Sequence, residues 1–158
     1  MKQILFAVCI FLFVASCHEG PVFDEVQNIP GREWDADKPV SFVVQVNDTT
    51  MAYDLMVLLR NTNQYSYSNF WLFIETTAPS GVSLRDTFEI QLAGPDGSWL
   101  GKGLGSMNTL LVPYKVNIRF PYRGIYTFKM IQAMRDEDKL GNRRVKGISD
   151  IGLRILPH

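Results

Sequence analysis

The sequence predicts an all-β protein, a single antiparallel β-sandwich of jelly-roll-like type that follows a lipoprotein signal peptide. Three observations lead there. Segments of strand length rich in β-branched and aromatic residues recur at spacings of about 10–15 residues. Breaks such as Ala78-Pro79-Ser80-Gly81 and Gly94-Pro95-Asp96-Gly97 punctuate them, with Pro and Gly where tight turns need preset or permissive φ angles. No apolar period of 3.6 residues persists for three turns beyond the extreme N-terminus.

Taken in order, Val40 to Val46 is β-branched and bounded by Pro39 and Asn47-Asp48. Tyr53, Leu55, Val57 and Leu59 then alternate with Asp54, Met56, Leu58 and Arg60, which suits a strand with one well-buried face. Asn69 to Thr77 reads as a third strand, with Phe70 and Trp71 assigned to the core because aromatics carry the largest burial. Leu84 to Ala93 is a fourth, with Leu84, Asp86, Phe88 and Ile90 sharing one face. Lys115 to Phe120, Gly124 to Met134 and Ile148 to Leu156 supply three more. The glycine-rich Gly101-Lys102-Gly103-Leu104-Gly105 lacks the spacing of a phosphate loop and reads as a bend or bulge at a sheet edge.

The N-terminus has a different character. Lys2 precedes an almost unbroken apolar run from Ile4 to Val14, and Val14-Ala15-Ser16-Cys17 resembles a lipobox. That run is short of the roughly 20 residues a membrane span requires. The division expected is therefore a lipoprotein signal peptide at 1–16, a lipidated tether and lead-in segment at 17–39, and the sandwich at 40–158. Cys17 is the lipidation site, anchoring the protein to a membrane through acyl chains worth about 0.8 kcal/mol per buried methylene. An ordinary secretory signal with an incidental cysteine is the competing reading. Phe23, Val26, Ile29 and Trp34 are more apolar than a pure linker needs, so most of the lead-in is expected to lie along the domain.

Composition narrows the chemistry. With 16 basic against 16 acidic residues, no case for nucleic acid as a partner arises. Cys9 and Cys17 are the only cysteines, and His18 and His158 the only histidines, at the edges of the mature chain. Thiol or imidazole catalysis and His- or Cys-ligated metal are not expected, nor is any cofactor. The acidic run Asp136-Glu137-Asp138 and the basic stretch Asn142-Arg143-Arg144-Val145-Lys146 read as solvated loops. Tyr65, Tyr67 and Trp99 form a candidate ligand or partner face. Asp48-Thr49-Thr50 resembles a short O-glycosylation signal, with Thr49 as acceptor.

Several phrases taken together carry a resemblance. They are Tyr53-Asp54-Leu55 with Arg60-Asn61-Thr62, Tyr65-Ser66-Tyr67-Ser68-Asn69, and Asp96-Gly97-Ser98-Trp99-Leu100-Gly101-Lys102-Gly103. Phe120-Pro121, Gly124-Ile125-Tyr126, Gln132-Ala133-Met134-Arg135 and Gly147-Ile148-Ser149-Asp150-Ile151-Gly152-Leu153-Arg154 complete the set. In their order and spacing, from Phe23 to Ile155, the chain resembles the gliding-motility lipoprotein family GldH of Bacteroidetes-type bacteria. The resemblance implies a non-enzymatic outer-membrane lipoprotein, associated with the gliding apparatus and its type IX secretion system and acting through protein partners. His18-Glu19-Gly20 after Cys17 contains no acidic cluster of the surface-export kind, so a periplasm-facing domain is expected. A carbohydrate- or glycan-binding envelope lipoprotein using Tyr65, Tyr67 and Trp99 is the alternative. Oligomeric state is left open.

Overall fold

The computed structural model describes residues 20–135 and 143–158. The signal peptide, Cys17, His18 and the acidic run Asp136-Glu137-Asp138 lie outside them. Eleven strands are present: β1 (Phe23–Asn28), β2 (Glu33–Asp35), β3 (Val40–Val46), β4 (Tyr53–Thr62), β5 (Asn69–Thr77), β6 (Ser83–Gln91), β7 (Lys102–Leu104), β8 (Met107–Ile118), β9 (Gly124–Gln132), β10 (Arg144–Lys146) and β11 (Ile148–Pro157).

They form a β-sandwich. One sheet has the order β1-β11-β4-β8-β7 and the other β3-β9-β5-β6, with every pairing antiparallel. Numbering only the eight long strands, the orders are 1-8-3-6 and 2-7-4-5, the arrangement of a jelly roll. The roll therefore draws on the lead-in segment from Phe23 onward, because β1 pairs along its whole length with β11. A small ribbon of β2 and β10 closes one corner, setting Val145 opposite Trp34.

The core is made by alternation, one face of each strand turning inward. Leu55, Val57 and Leu59 of β4 meet Ile151, Leu153 and Ile155 of β11 in the first sheet. Phe42 and Val44 of β3, Phe70, Leu72 and Ile74 of β5, and Tyr126, Phe128 and Met130 of β9 face them from the second. All of these are buried.

Strands β3 and β5 coincide with the segments read from sequence, and the core phases of β4, β9 and β11 are as expected. Strand β8 begins at Met107 rather than near Lys115. Its first half was obscured by Pro113, which lacks the N–H that a central strand needs. The fold accommodates the proline because β7 pairs only with Met107 to Thr109, leaving β8 a free edge beside Pro113. The glycine-rich stretch is the β7–β8 hairpin at the sheet edge. At Gly103 an added Cβ would collide with the backbone of Met107 and Asn108.

Candidate binding surfaces

The three aromatics expected to form a ligand face are brought together, but around a buried centre. The Tyr65 ring lies 5.6 Å from Tyr67, 5.9 Å from Phe70 and 6.5 Å from Trp99. Its hydroxyl donates to the Asn69 carbonyl at 2.5 Å. Burial, reinforced by Tyr67, pushes the phenol far above its usual range. Only Tyr67 and Trp99 of the three retain exposed surface, and Tyr65 serves as the packing post between them.

Strand β5 adds what the sequence reading did not assign to this surface. Phe70, Leu72 and Ile74 point inward, so Trp71 and Phe73 face out. The outer face of the second sheet thereby carries a groove of about 440 Å³ lined by Tyr67, Asn69, Trp71, Phe73, Met134 and Arg135. The Arg85 guanidinium caps the Phe73 ring at 4.1 Å, while the Tyr67 ring packs against Tyr65. Trp71, assigned to the core with Phe70, turns outward on this face while its partly buried ring still packs against core residues. The polar partners of its phase, Asn69 and Glu75, were the signal that this face meets solvent.

A second cleft, of about 430 Å³, opens between the sheets where β6 and the free half of β8 come together. Leu55, Phe120, Tyr126 and Phe128 form its floor, and Val82, Leu84 and Tyr122 its rim. A polar latch crosses it. The Tyr114 hydroxyl donates to Asp86 Oδ2 at 2.6 Å, and Lys115 Nζ lies 3.0 Å from the same oxygen. The Tyr114 hydrogen bond first, and then Lys115, hold the Asp86 carboxyl below the usual range.

Elsewhere, Thr49 is half-buried in the β3–β4 loop, next to an Asp48 carboxylate that accepts the Thr50 N–H and hydroxyl, both at 2.7 Å. His158 Nδ1 sits 2.8 Å from Asp54 Oδ1 at the C-terminus of β11. Of the basic stretch, read as a solvated loop, Arg144-Val145-Lys146 instead forms strand β10 paired with β2, with Arg144 paired to Asp35. No cluster of three or more His, Cys, Asp or Glu side chains suited to a metal occurs among the described residues.

The family described as GldH lipoprotein matches residues 21–155, from just before β1 to near the end of β11. The chain belongs to the GldH lipoprotein family. It is 39% identical over 155 residues to the "Gliding motility lipoprotein GldH homolog" of Christiangramia forsetii, covering 95% of this chain and 94% of the relative. Identity to the "Gliding motility lipoprotein GldH" of Flavobacterium johnsoniae is 37% over 153 residues, covering 96% and 93% respectively. Among solved structures, one chain from "Structure of infectious bursal disease virus Gt strain" is matched with a TM-score of 0.35 and 10% identity. The match takes in 87% of this chain and 32% of that one, and at that score it carries no weight.

Proposed function

We propose that this GldH-family chain is a non-enzymatic outer-membrane lipoprotein that serves the gliding apparatus and its associated type IX secretion machinery by binding protein partners. Its anchor is Cys17 and its domain faces the periplasm. One observation carries the reading: the family match begins at residue 21, immediately after a lipobox-like Val14-Ala15-Ser16-Cys17. The relatives named as gliding-motility lipoproteins are covered over nearly their full length, which supports carrying their role to this chain. A crosslinked pull-down from outer membranes tests this, comparing wild type with Cys17→Ala. Motility or secretion proteins recovered with wild type and lost with the variant support the reading. Equal recovery from both removes the anchor from the function. Digestion of the domain by protease added to intact cells overturns the periplasmic orientation.

The open Tyr67–Trp71 groove favours a second reading, a glycan-binding envelope lipoprotein, since aromatic faces stack on the apolar faces of sugar rings. Glycan-array binding abolished by Tyr67→Ala with Trp71→Ala supports it; Tyr65 is left intact because it is buried.

A further inference from the structure

The end of the roll at which the tether arrives is also where exposed apolar side chains gather. Strand registers define that end. In the first sheet Phe23 is opposite Ile155, Pro157 opposite Tyr53, and Tyr53 opposite Ile118. In the second, Val46 is opposite Gly124 and Thr77 is opposite both Thr127 and Ser83. Loops 47–52 and 119–123 each join one sheet to the other here, and Arg119 Nε donates to Thr50 O across them at 3.2 Å. Of the large apolar side chains exposed among the described residues, Val22, Val82, Leu84, Val116, Tyr122 and Ile125 lie at this end. Val43 stands on the row of Thr127 and Thr77 at the border of this end, and Val26 and Leu100 lie elsewhere. Leu84 is 69% exposed and Val82 60%, an unfavourable state for residues standing in water at the rim of an apolar cleft.

The charges at this end are arranged to match. Asp48 is engaged by Thr50, Asp54 by the Asn117 N–H and His158, and Asp86 by Tyr114 and Lys115. Arg119 and Arg123 form no ion pair within 4 Å among the described residues, though after the Thr50 hydrogen bonds the Arg123 charge also helps to hold the Asp48 carboxyl low. Two guanidiniums therefore stand among the exposed apolar side chains.

Chain length sets the geometry. Val22 N–H donates to Ile155 O at 2.8 Å, so the fold holds the chain from that residue. From Cys17 to Val22 even a fully extended backbone reaches only about 17 Å. The four strands β1, β11, β4 and β8 span about 14 Å at their ordinary spacing. A lipid on Cys17 thus keeps Val22 within about 17 Å of the bilayer surface and the far strand β8 within roughly 31 Å of it.

We propose that this end of the roll seats on the membrane. Val82, Leu84, Tyr122 and Ile125 enter the headgroup–acyl boundary of the leaflet that holds the Cys17 lipid, and Arg119 and Arg123 meet its phosphates. Apolar groups gain by leaving water at that boundary, a tyrosine places its ring there with its hydroxyl wet, and guanidinium matches phosphate geometry. Trp71, in the first half of β5, belongs to the opposite half of the molecule, where its groove faces partners. The proposal rests on the anchored reading above.

The test uses the mature, lipidated chain in vesicles of phosphatidylethanolamine and phosphatidylglycerol. Without a free thiol in the mature chain, a single Cys at Leu84→Cys or Tyr122→Cys accepts an environment-sensitive fluorophore, with Ser106→Cys at the far end as reference. Expected is a several-fold quenching by brominated lipid at positions 84 and 122 and none at 106. A chain that floats with the vesicles, yet leaves 84 and 122 as open to aqueous iodide as 106, overturns the seating while leaving the anchor intact. Failure to float removes the anchored reading and the seating with it. Agreement between the two label sites guards against one substitution disturbing the patch.

Discussion

Replacing Trp34 asks whether the lead-in segment is part of the cooperative fold. Trp34 is 1% exposed, and its ring stacks on Phe70 with centroids 5.6 Å apart and planes 23° from parallel. Its Nε1–H donates to the Lys38 carbonyl at 3.1 Å, and strand β2 pairs it with Val145. Trp34→Ala removes a buried indole and leaves a cavity against Phe70, a change that costs about 3–5 kcal/mol. For a domain of this size each kcal/mol lowers the melting temperature by about 4 °C, so a fall on the order of 12–20 °C is expected. Trp34→Phe keeps the aromatic contact and loses the hydrogen bond, so about 1–2 kcal/mol is expected there. Urea and thermal unfolding of both variants, followed by circular dichroism, supply the numbers. A fall below about 3 °C for Trp34→Ala, less than 1 kcal/mol, would refute the reasoning. It would mean that the β2–β10 ribbon unfolds separately from the sandwich.

Three other outcomes are expected. Gly147 has φ of +90°, and an added Cβ would stand 2.6 Å from Tyr65 Cα, so Gly147→Ala should cost more than about 2 kcal/mol in a urea midpoint. Asp86 has a lowered pKa when folded, so its ion pair stabilises above the ordinary carboxylate value and that share is lost as pH falls through the folded value. Asp86→Asn should therefore be less stable than wild type at neutral pH, with the gap narrowing below about pH 4 in unfolding midpoints. Thr49 lies in the 47–52 loop at the seating end, so an intact mass of the mature chain without hexose is expected, and a glycan there would count against seating of that loop.

How much was legible in the sequence follows from what acts locally. Alternation along Val40–Val46 and Tyr53–Leu59 is set by the two-residue period of a strand, so both strands and their buried faces could be read directly. The turn at Ala78-Pro79-Ser80-Gly81 was legible for the same reason, since Pro and Gly act on their own φ angles. The lipobox-like motif at Cys17 and the family phrases also needed no fold. Pairing is not local. Phe23 and Val26 marked Phe23–Asn28 as more than linker, but the segment becomes a strand because β11 offers it a free edge. Pro113 sits inside β8 only because β7 stops short of it. The Tyr65, Tyr67 and Trp99 cluster was anticipated as a group, but which ring lies at its centre depends on how the loops close over β5. Sequence therefore determined the family and the inward faces of β3, β4, β9 and β11. Tertiary structure decided that Trp71 faces out, that Tyr65 is buried, and that Val82, Leu84, Tyr122 and Ile125 meet at one end. Side chains 40 residues apart in sequence become neighbours only through strand register, which is fixed by long-range hydrogen bonding and burial rather than by any local run of residues.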